Sequence, residues 1–232
     1  MQKGDYVFSV DLKSGYHHVD MDGRYWTYLG FYWEQHFYVF TQLPFGLAPA
    51  CWAFTKITRE LLYLWRSERL RNTRYLDNSA HMALSVLDAQ AMQRTVFSDF
   101  EKAGFIVNVD KSTIIPAQQF KYLGAIVDTV TGTITVPDEK RAAVMKNINT
   151  LLANTRRCQV HAITSLVGTI LSMSYSFGDI FVLMTRCMTM WVNRALADAH
   201  TFQSHIPLDA EAAGELMFWR QSFSMFDGIK PI

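Results

Sequence analysis

Between Asp5 and Leu12 the large apolar residues Tyr6, Phe8 and Val10 alternate with smaller ones, and Val7 and an aspartate lie between them. This period of two predicts a strand with two usable faces, ended by a turn at Lys13–Gly15. Two aromatic-rich runs, Tyr25–Trp33 and Phe37–Thr41, flank Glu-Gln-His and predict a hairpin without the Asn-Gly signature. Leu43–Ala50 is a proline- and glycine-marked loop, and Pro49 suits the first turn of a helix. That helix is expected from about Ala50 to Leu70, with Ala50, Phe54, Ile57, Leu61 and Leu64 as its apolar stripe. A short strand–turn–strand should carry Tyr75–Asn78. Asp88 is the expected N-cap of a second helix, with Met92, Val96, Phe100 and Ala103 on its stripe and Gly104 closing it. Strands are expected at Phe105–Val109, Thr113–Ile115 and Phe120–Val127, and at Thr133–Val136 after a turn at Thr131–Gly132. After Pro137 the pattern is helical. Strands and helices without strict alternation, followed by helices, read as α+β.

Composition narrows this picture. In 232 residues, 50% are hydrophobic and 19% charged, enough apolar material for a packed core and too much for a disordered chain. The formal charge of +1 means that a nucleic-acid partner must be held by a local patch and not by a global field. Cys51, Cys158 and Cys187 are odd in number and far apart, which argues against a disulfide framework and fits an intracellular, reducing setting in cytoplasm or nucleus. No secretory signal opens the chain, and Ala162–Val192 is interrupted by Asp179 and Arg186, so no membrane partner is expected.

Two aspartates stand out by position. Asp11 ends an apolar strand, and Asp77 sits in a tight turn between two short strands. Carboxylates at strand ends are rigid ligands, and two from adjacent strands suit Mg²⁺, which prefers hard oxygen donors and keeps positions open for water and phosphates. On spacing alone, each is equally a cap or a turn former.

The words around them change that balance. Phe8–His18, Leu43–Ala50, Tyr75–Asn78, Gly104–Ser112 and Phe120–Gly124, in that order, resemble the successive palm motifs of reverse transcriptases from long-terminal-repeat and related retrotransposons. Ser14–His18, Trp65–Ser67 and Thr135–Lys140 bring the resemblance nearest to the DIRS-type, gypsy-like group. It implies a polymerase palm with partial fingers over residues 1–136 and an all-helical thumb or connection segment over 137–232. It implies Asp11 and Asp77 as metal carboxylates, with the Leu12 carbonyl as a further ligand, and Mg²⁺, with Mn²⁺ as the substitute, as the cofactor. Tyr16 would be the steric gate under the incoming sugar, and Pro44, Phe45 and Gly46 would border nucleotide and template. Lys111 would face the departing pyrophosphate, and Tyr122, Leu123 and Gly124 would grip the primer end. The implied partners are an RNA or DNA template with its primer and deoxynucleoside triphosphates.

Three features depart from that pattern. Asn78 stands where the family has a second aspartate, and an uncharged amide weakens divalent-cation binding. Arg71–Arg74 leads into the turn where β-branched residues make a better buried strand. Only ten residues precede Asp11, and Leu208–Leu216 resembles only the helical lead into a ribonuclease H region, so the chain reads as a fragment or truncated copy. Arg66, Arg69, Arg71 and Arg74, and the acid-free run containing Lys140, Arg141, Lys146, Arg156 and Arg157, suit phosphate contact. The rival expectations are a catalytically silent remnant that binds nucleic acid and a helical protein–protein module after Pro137.

Overall fold

The computed structural model describes residues 1–225 and 229–232. They divide into two compact units: Met1–Leu123 with Asp128–Thr131, and Gly124–Val127 with Gly132–Ile232.

The first unit contains β1 (Tyr6–Asp11), β2 (Gly30–Trp33), β3 (His36–Val39), α1 (Ala50–Ser67), β4 (Arg71–Tyr75), β5 (Asn78–Ala83), α2 (Val86–Lys102), β6 (Thr113–Ala117) and β7 (Gln119–Tyr122). Its main sheet runs β4-β5-β1-β6, antiparallel at every junction. Val7 and Phe8 are fully buried and Val10 is 1% exposed, so β1 is covered on both faces. Phe8 and Val10 join Phe54 and Trp65 of α1 and Val96 and Phe100 of α2 in one apolar cluster.

The face that α1 buries is not the expected stripe. Ala50, Phe54, Thr58 and Trp65 are inside, whereas Ile57 and Leu64 are 45% and 44% exposed. Trp65 sets the rotation: its ring fills the core and its Nε1–H donates to Asp99 Oδ2 of α2 at 3.0 Å. A stripe counted only by apolarity gives that indole no extra weight. Helix α2 is capped by Ser85, whose Oγ accepts from the Asp88 N–H at 3.1 Å while its hydroxyl donates to Asp88 Oδ2 at 2.7 Å. Asp88 is therefore the third helical residue of a capping-box-like start and not the cap.

Two expected strands are altered. Phe105–Val109 makes a single bridge, Val107 to Leu12, before a 3₁₀ turn at Val109–Lys111. Phe120–Val127 is split because Leu123 (φ 49°) and Gly124 (φ 77°) both take left-handed conformations. The hairpin β2–β3 forms, but only from the inner parts of the two expected runs, since Gly23–Leu29 is a 3₁₀ helix; Glu34 and Gln35, both at positive φ, make its turn without Asn-Gly.

The second unit contains β8 (Ala125–Asp128), β9 (Thr133–Thr135), α3 (Asp138–Ala153), β10 (Cys158–Gln159), α4 (Val160–Leu171), α5 (Ser174–Phe177), α6 (Ile180–Leu183), α7 (Arg186–Ala197), β11 (His205–Ile206), α8 (Ala210–Ser222) and β12 (Ile229–Pro231). It is mainly but not wholly helical: β12 pairs with β9 and β10 with β11. Such two- and three-residue pairings are too short to leave a periodic signal. Ile148, Ile163, Leu166, Phe181 and Trp219 lie in its core. The buried Glu215 of α8 caps α7, accepting the N–H groups of Cys187 and Met188 at 2.9 Å each. Among the described residues no helix is long and apolar enough to cross a membrane, and the three cysteines are unbridged.

Candidate active site

Register brings the two aspartates together. Asp11, the last residue of β1, is the antiparallel partner of Asn78, the first of β5. Asp77 lies one residue earlier, in the β4–β5 turn, where Leu76 takes a left-handed φ of 53°. The Leu12 N–H donates to the Asp77 carbonyl at 3.1 Å and ties the strand end to the turn. Burial, and then the negative charge of Asp77, push the Asp11 carboxyl above its ordinary range, while Lys111 and a hydrogen bond from Asn108 pull it back.

The segment Gly104–Ser112 holds Asp11 in place. Ser112 Oγ accepts the Asp11 N–H at 3.0 Å and donates to the Asn108 carbonyl at 2.6 Å, and the Asn108 N–H returns to the Asp11 carbonyl at 2.8 Å. Lys13 N–H donates to Ile106 O, which completes the bridge around Leu12 without using the Leu12 carbonyl. His18 Nε2 accepts from the Ile106 N–H, so its proton sits on Nδ1, facing Gly15 O at 3.2 Å.

A cleft of about 270 Å³ opens beside Asp77, lined also by Gly15, Tyr16, Phe45, Gly46, Leu76 and Cys51; Asp11 is not part of its lining. Tyr16 is 8% exposed and rests edge-on against Phe54, with ring centroids 5.0 Å apart. Its hydroxyl is hydrogen-bonded to Cys51 Sγ at 2.9 Å, and that bond, with burial, raises the phenol to about 12. Gly15 is required here: a Cβ would stand 2.9 Å from Phe54 Cζ and 3.2 Å from Asp77 Cβ. Phe45 is exposed and Gly46 has φ +83°, which turns the loop over the cleft. Pro44 is buried and lines no part of the cleft.

The donor set fits a divalent cation. Two carboxylates close enough to repel are relieved by a positive ion between them, and one or two carboxylates with open positions suit Mg²⁺. Among the described residues no group of three or more His, Cys, Asp or Glu forms a closed metal site. Asn78, next to Asp77, brings no charge to the pair and donates its Nδ2–H to Asp77 Oδ1 at 3.2 Å.

Of the remaining expected residues, the Tyr122 hydroxyl donates to the Asn78 carbonyl at 3.4 Å, and burial pushes its phenol up to about 12. Leu123 and Gly124 form the turn after β7. In the second unit, a Cβ at Gly124 would lie 3.8 Å from Lys140 Nζ, so these two are neighbours. Arg141 lies over the Phe223 ring at 5.6 Å, and Lys146 is exposed on α3. Sequence reasoning missed two roles. Cys51 anchors Tyr16, which nothing local signals. Arg74 supports the turn: its Nε–H donates to Leu76 O at 2.6 Å, its guanidinium lies 5.8 Å from the Phe54 ring and 5.4 Å from that of Phe100, and burial lowers it to about 10.

A family model described as reverse transcriptase (RNA-dependent DNA polymerase) matches residues 1–127. No curated protein matches. Among solved structures, the chain is similar to the foamy viral protease–reverse transcriptase in complex with double-stranded DNA, in a form described as dRH, at TM-score 0.69 and 18% identity, covering 100% of this chain and 37% of that one. It is similar to the same viral protein in complex with an RNA/DNA hybrid at TM-score 0.69 and 18% identity, covering 94% of this chain and 27% of that one. A further complex of that protein with double-stranded DNA gives TM-score 0.67 and 19% identity, covering 100% and 43%. The chain therefore spans less than half the length of these relatives and shares their α+β polymerase fold.

Proposed function

The chain belongs to the reverse transcriptase family, and from that premise we propose that it carries the palm of an RNA-directed DNA polymerase, extending a primer 3′ end on an RNA or DNA template. The observation that carries this reading is the adjacency of Asp11 to Asp77, which lines a cleft together with Tyr16. Asp11 and Asp77, with the Leu12 carbonyl, would hold Mg²⁺, with Mn²⁺ as the substitute. Such an ion would supply Lewis-acid activation of a 3′-hydroxyl and charge stabilisation of a pyrophosphate leaving group. The Tyr16 ring denies space to a ribose 2′-hydroxyl and so selects deoxynucleoside triphosphates. Phe45 and Gly46 border the base, and Pro44 supports their loop from below. Lys111 provides positive charge, or a proton, toward the pyrophosphate. Tyr122, Leu123 and Gly124 hold the primer end, and Lys140, Arg141 and Lys146 contact the template–primer backbone. By its motif wording the parent element is DIRS-type or gypsy-like, acting in cytoplasm or nucleus.

A second reading has a specific observation behind it. The Asn78 amide occupies one Asp77 oxygen and brings no charge, which favours a silent nucleic-acid-binding remnant. Primer extension by wild type, Asp11→Asn and Asn78→Asp separates the two. Metal-dependent synthesis that Asp11→Asn abolishes and Asn78→Asp raises supports the polymerase. Synthesis that persists in Asp11→Asn removes the metal assignment, and strand binding with no synthesis in either wild type or Asn78→Asp selects the remnant.

A further inference from the structure

Two clefts of about 230 and 370 Å³ open beside α1 and β4 and share Arg66. The first is lined by Arg59, Arg66 and Arg74 together with Tyr63, and the second by Arg66, Arg69 and Arg71. No carboxylate lines either one, and Glu60 and Glu68, the acids of α1 and its end, are absent from both linings. Arg71 is already neutralised by the buried Asp5, 2.5 Å away. Arg59, Arg66 and Arg69 form no ion pair among the described residues. Arg74 has both Nη atoms buried without a hydrogen-bond partner, but the Phe54 and Phe100 rings and the charge of Asp77 offset it in part, so Arg59, Arg66 and Arg69 carry most of the uncompensated charge.

Charges gathered this way repel one another, and a folded chain keeps them together at a cost that an anionic ligand removes. The chemistry of the lining, guanidinium forks beside a phenol, matches phosphate oxygens. Its extent, two adjoining clefts joined through one arginine, matches oxyanions spaced along a chain better than a single free ion. We propose that the basic face of α1 and β4 binds the phosphodiester backbone of a single-stranded nucleic acid, as a track that adjoins the cleft beside Asp77 at Leu76 but uses none of its carboxylates. The track lies wholly within the first unit and needs no metal.

The test is fluorescence anisotropy of a labelled single-stranded oligonucleotide titrated with the full chain in EDTA, over a range of salt. Chelation removes any metal-bridged binding, and Arg59 and Arg66 take no part in the proposed polymerase site, so failure of the polymerase reading leaves the comparison of wild type with the double variant intact. Arg59 and Arg66 are exposed, and the double variant Arg59→Gln/Arg66→Gln is expected to fold with an unchanged circular dichroism spectrum. Binding should weaken about tenfold, and the slope of log K against log salt should become shallower by about 1.4, roughly 0.7 per lost single-strand phosphate contact. Arg94→Gln removes one equal charge from the exposed surface of α2 and should change affinity less than about twofold. Unchanged affinity and slope in the double variant would overturn the proposal, as would an equal loss in Arg94→Gln. Two further arms test the chemistry. Polyglutamate competing as well as the oligonucleotide would overturn phosphate recognition. Pyrophosphate raising the melting temperature of wild type but not of the double variant, with oligonucleotide binding unaffected, would assign the clefts to a free phosphate and overturn the strand reading.

Discussion

Asp11 and Asn78 face each other across β1 and β5, and the Asn78 amide is hydrogen-bonded to Asp77. The position beside the two carboxylates is thus filled by a donor that satisfies one of them and adds no charge. Placing an anion there has a definite electrostatic consequence. In Asn78→Asp without divalent cation, the Asp11 carboxyl should titrate at a still higher pH, because a second like charge joins Asp77. Mg²⁺ should reverse the shift and bind about tenfold more tightly than to wild type, about 1.4 kcal/mol. Carboxyl ¹³C NMR titration with and without Mg²⁺ reads both effects, and an Asp11 titration indifferent to residue 78 would count against the arrangement.

The Tyr16–Cys51 hydrogen bond should set the sugar gate. In Cys51→Ala the phenol loses the largest cause of its rise to about 12 and should titrate nearer the ordinary value of about 10, visible by ultraviolet difference spectroscopy. If synthesis occurs, the same variant should incorporate ribonucleotides more readily, and Tyr16→Val more readily still. Sugar discrimination unchanged in Tyr16→Val would show that the ring does not floor the nucleotide site.

His81 should make the first unit acid-sensitive. Its ring is buried, stacked on Phe8 at 4.7 Å and set edge-on to Trp65 at 5.1 Å, and burial, with the charge of Arg74, lowers it to about 3 from 6.5. The unfolded chain therefore takes up a proton that the folded chain refuses. Stability from this group is complete above 6.5 and falls as pH drops from 6.5 toward 3, by about 2 kcal/mol between pH 7 and pH 5. Urea denaturation at those two pH values should show the loss in wild type, and His81→Phe should remove that part of it.

Glu215 should stabilise the second unit through α7. Its two oxygens accept adjacent N–H groups at the start of that helix, where the macrodipole also favours negative charge. Glu215→Ala should cost about 2 kcal/mol and Glu215→Gln about half of that, since the amide keeps one acceptor. Denaturation followed through Trp191 and Trp219 fluorescence measures this, and an alanine variant as stable as wild type would show that water replaces the cap.

The readable parts of the site are those that local chemistry writes down. A strand ending in Asp11, a turn carrying Asp77, and the proline–glycine loop before α1 each announce themselves within about ten residues. The basic words before the turn read as unsuited to a buried strand, and the sheet explains them: β4 is an edge, where charged side chains are tolerated and discourage further pairing. Arg71 could be placed only with Asp5, 66 residues away, and Tyr16 only with Cys51, 35 away.

What the chain alone determined is therefore the longer elements and the order of its motifs, because periodicity, caps and turn residues act over one or two helical turns. The tertiary structure decided the face of α1, the break at Leu123–Gly124, the partner of each buried charge and the gathering of arginines beside α1 and β4. These depend on which large side chains fill a shared core and on which polar groups lose water together, and such long-range competition leaves no trace in local pattern.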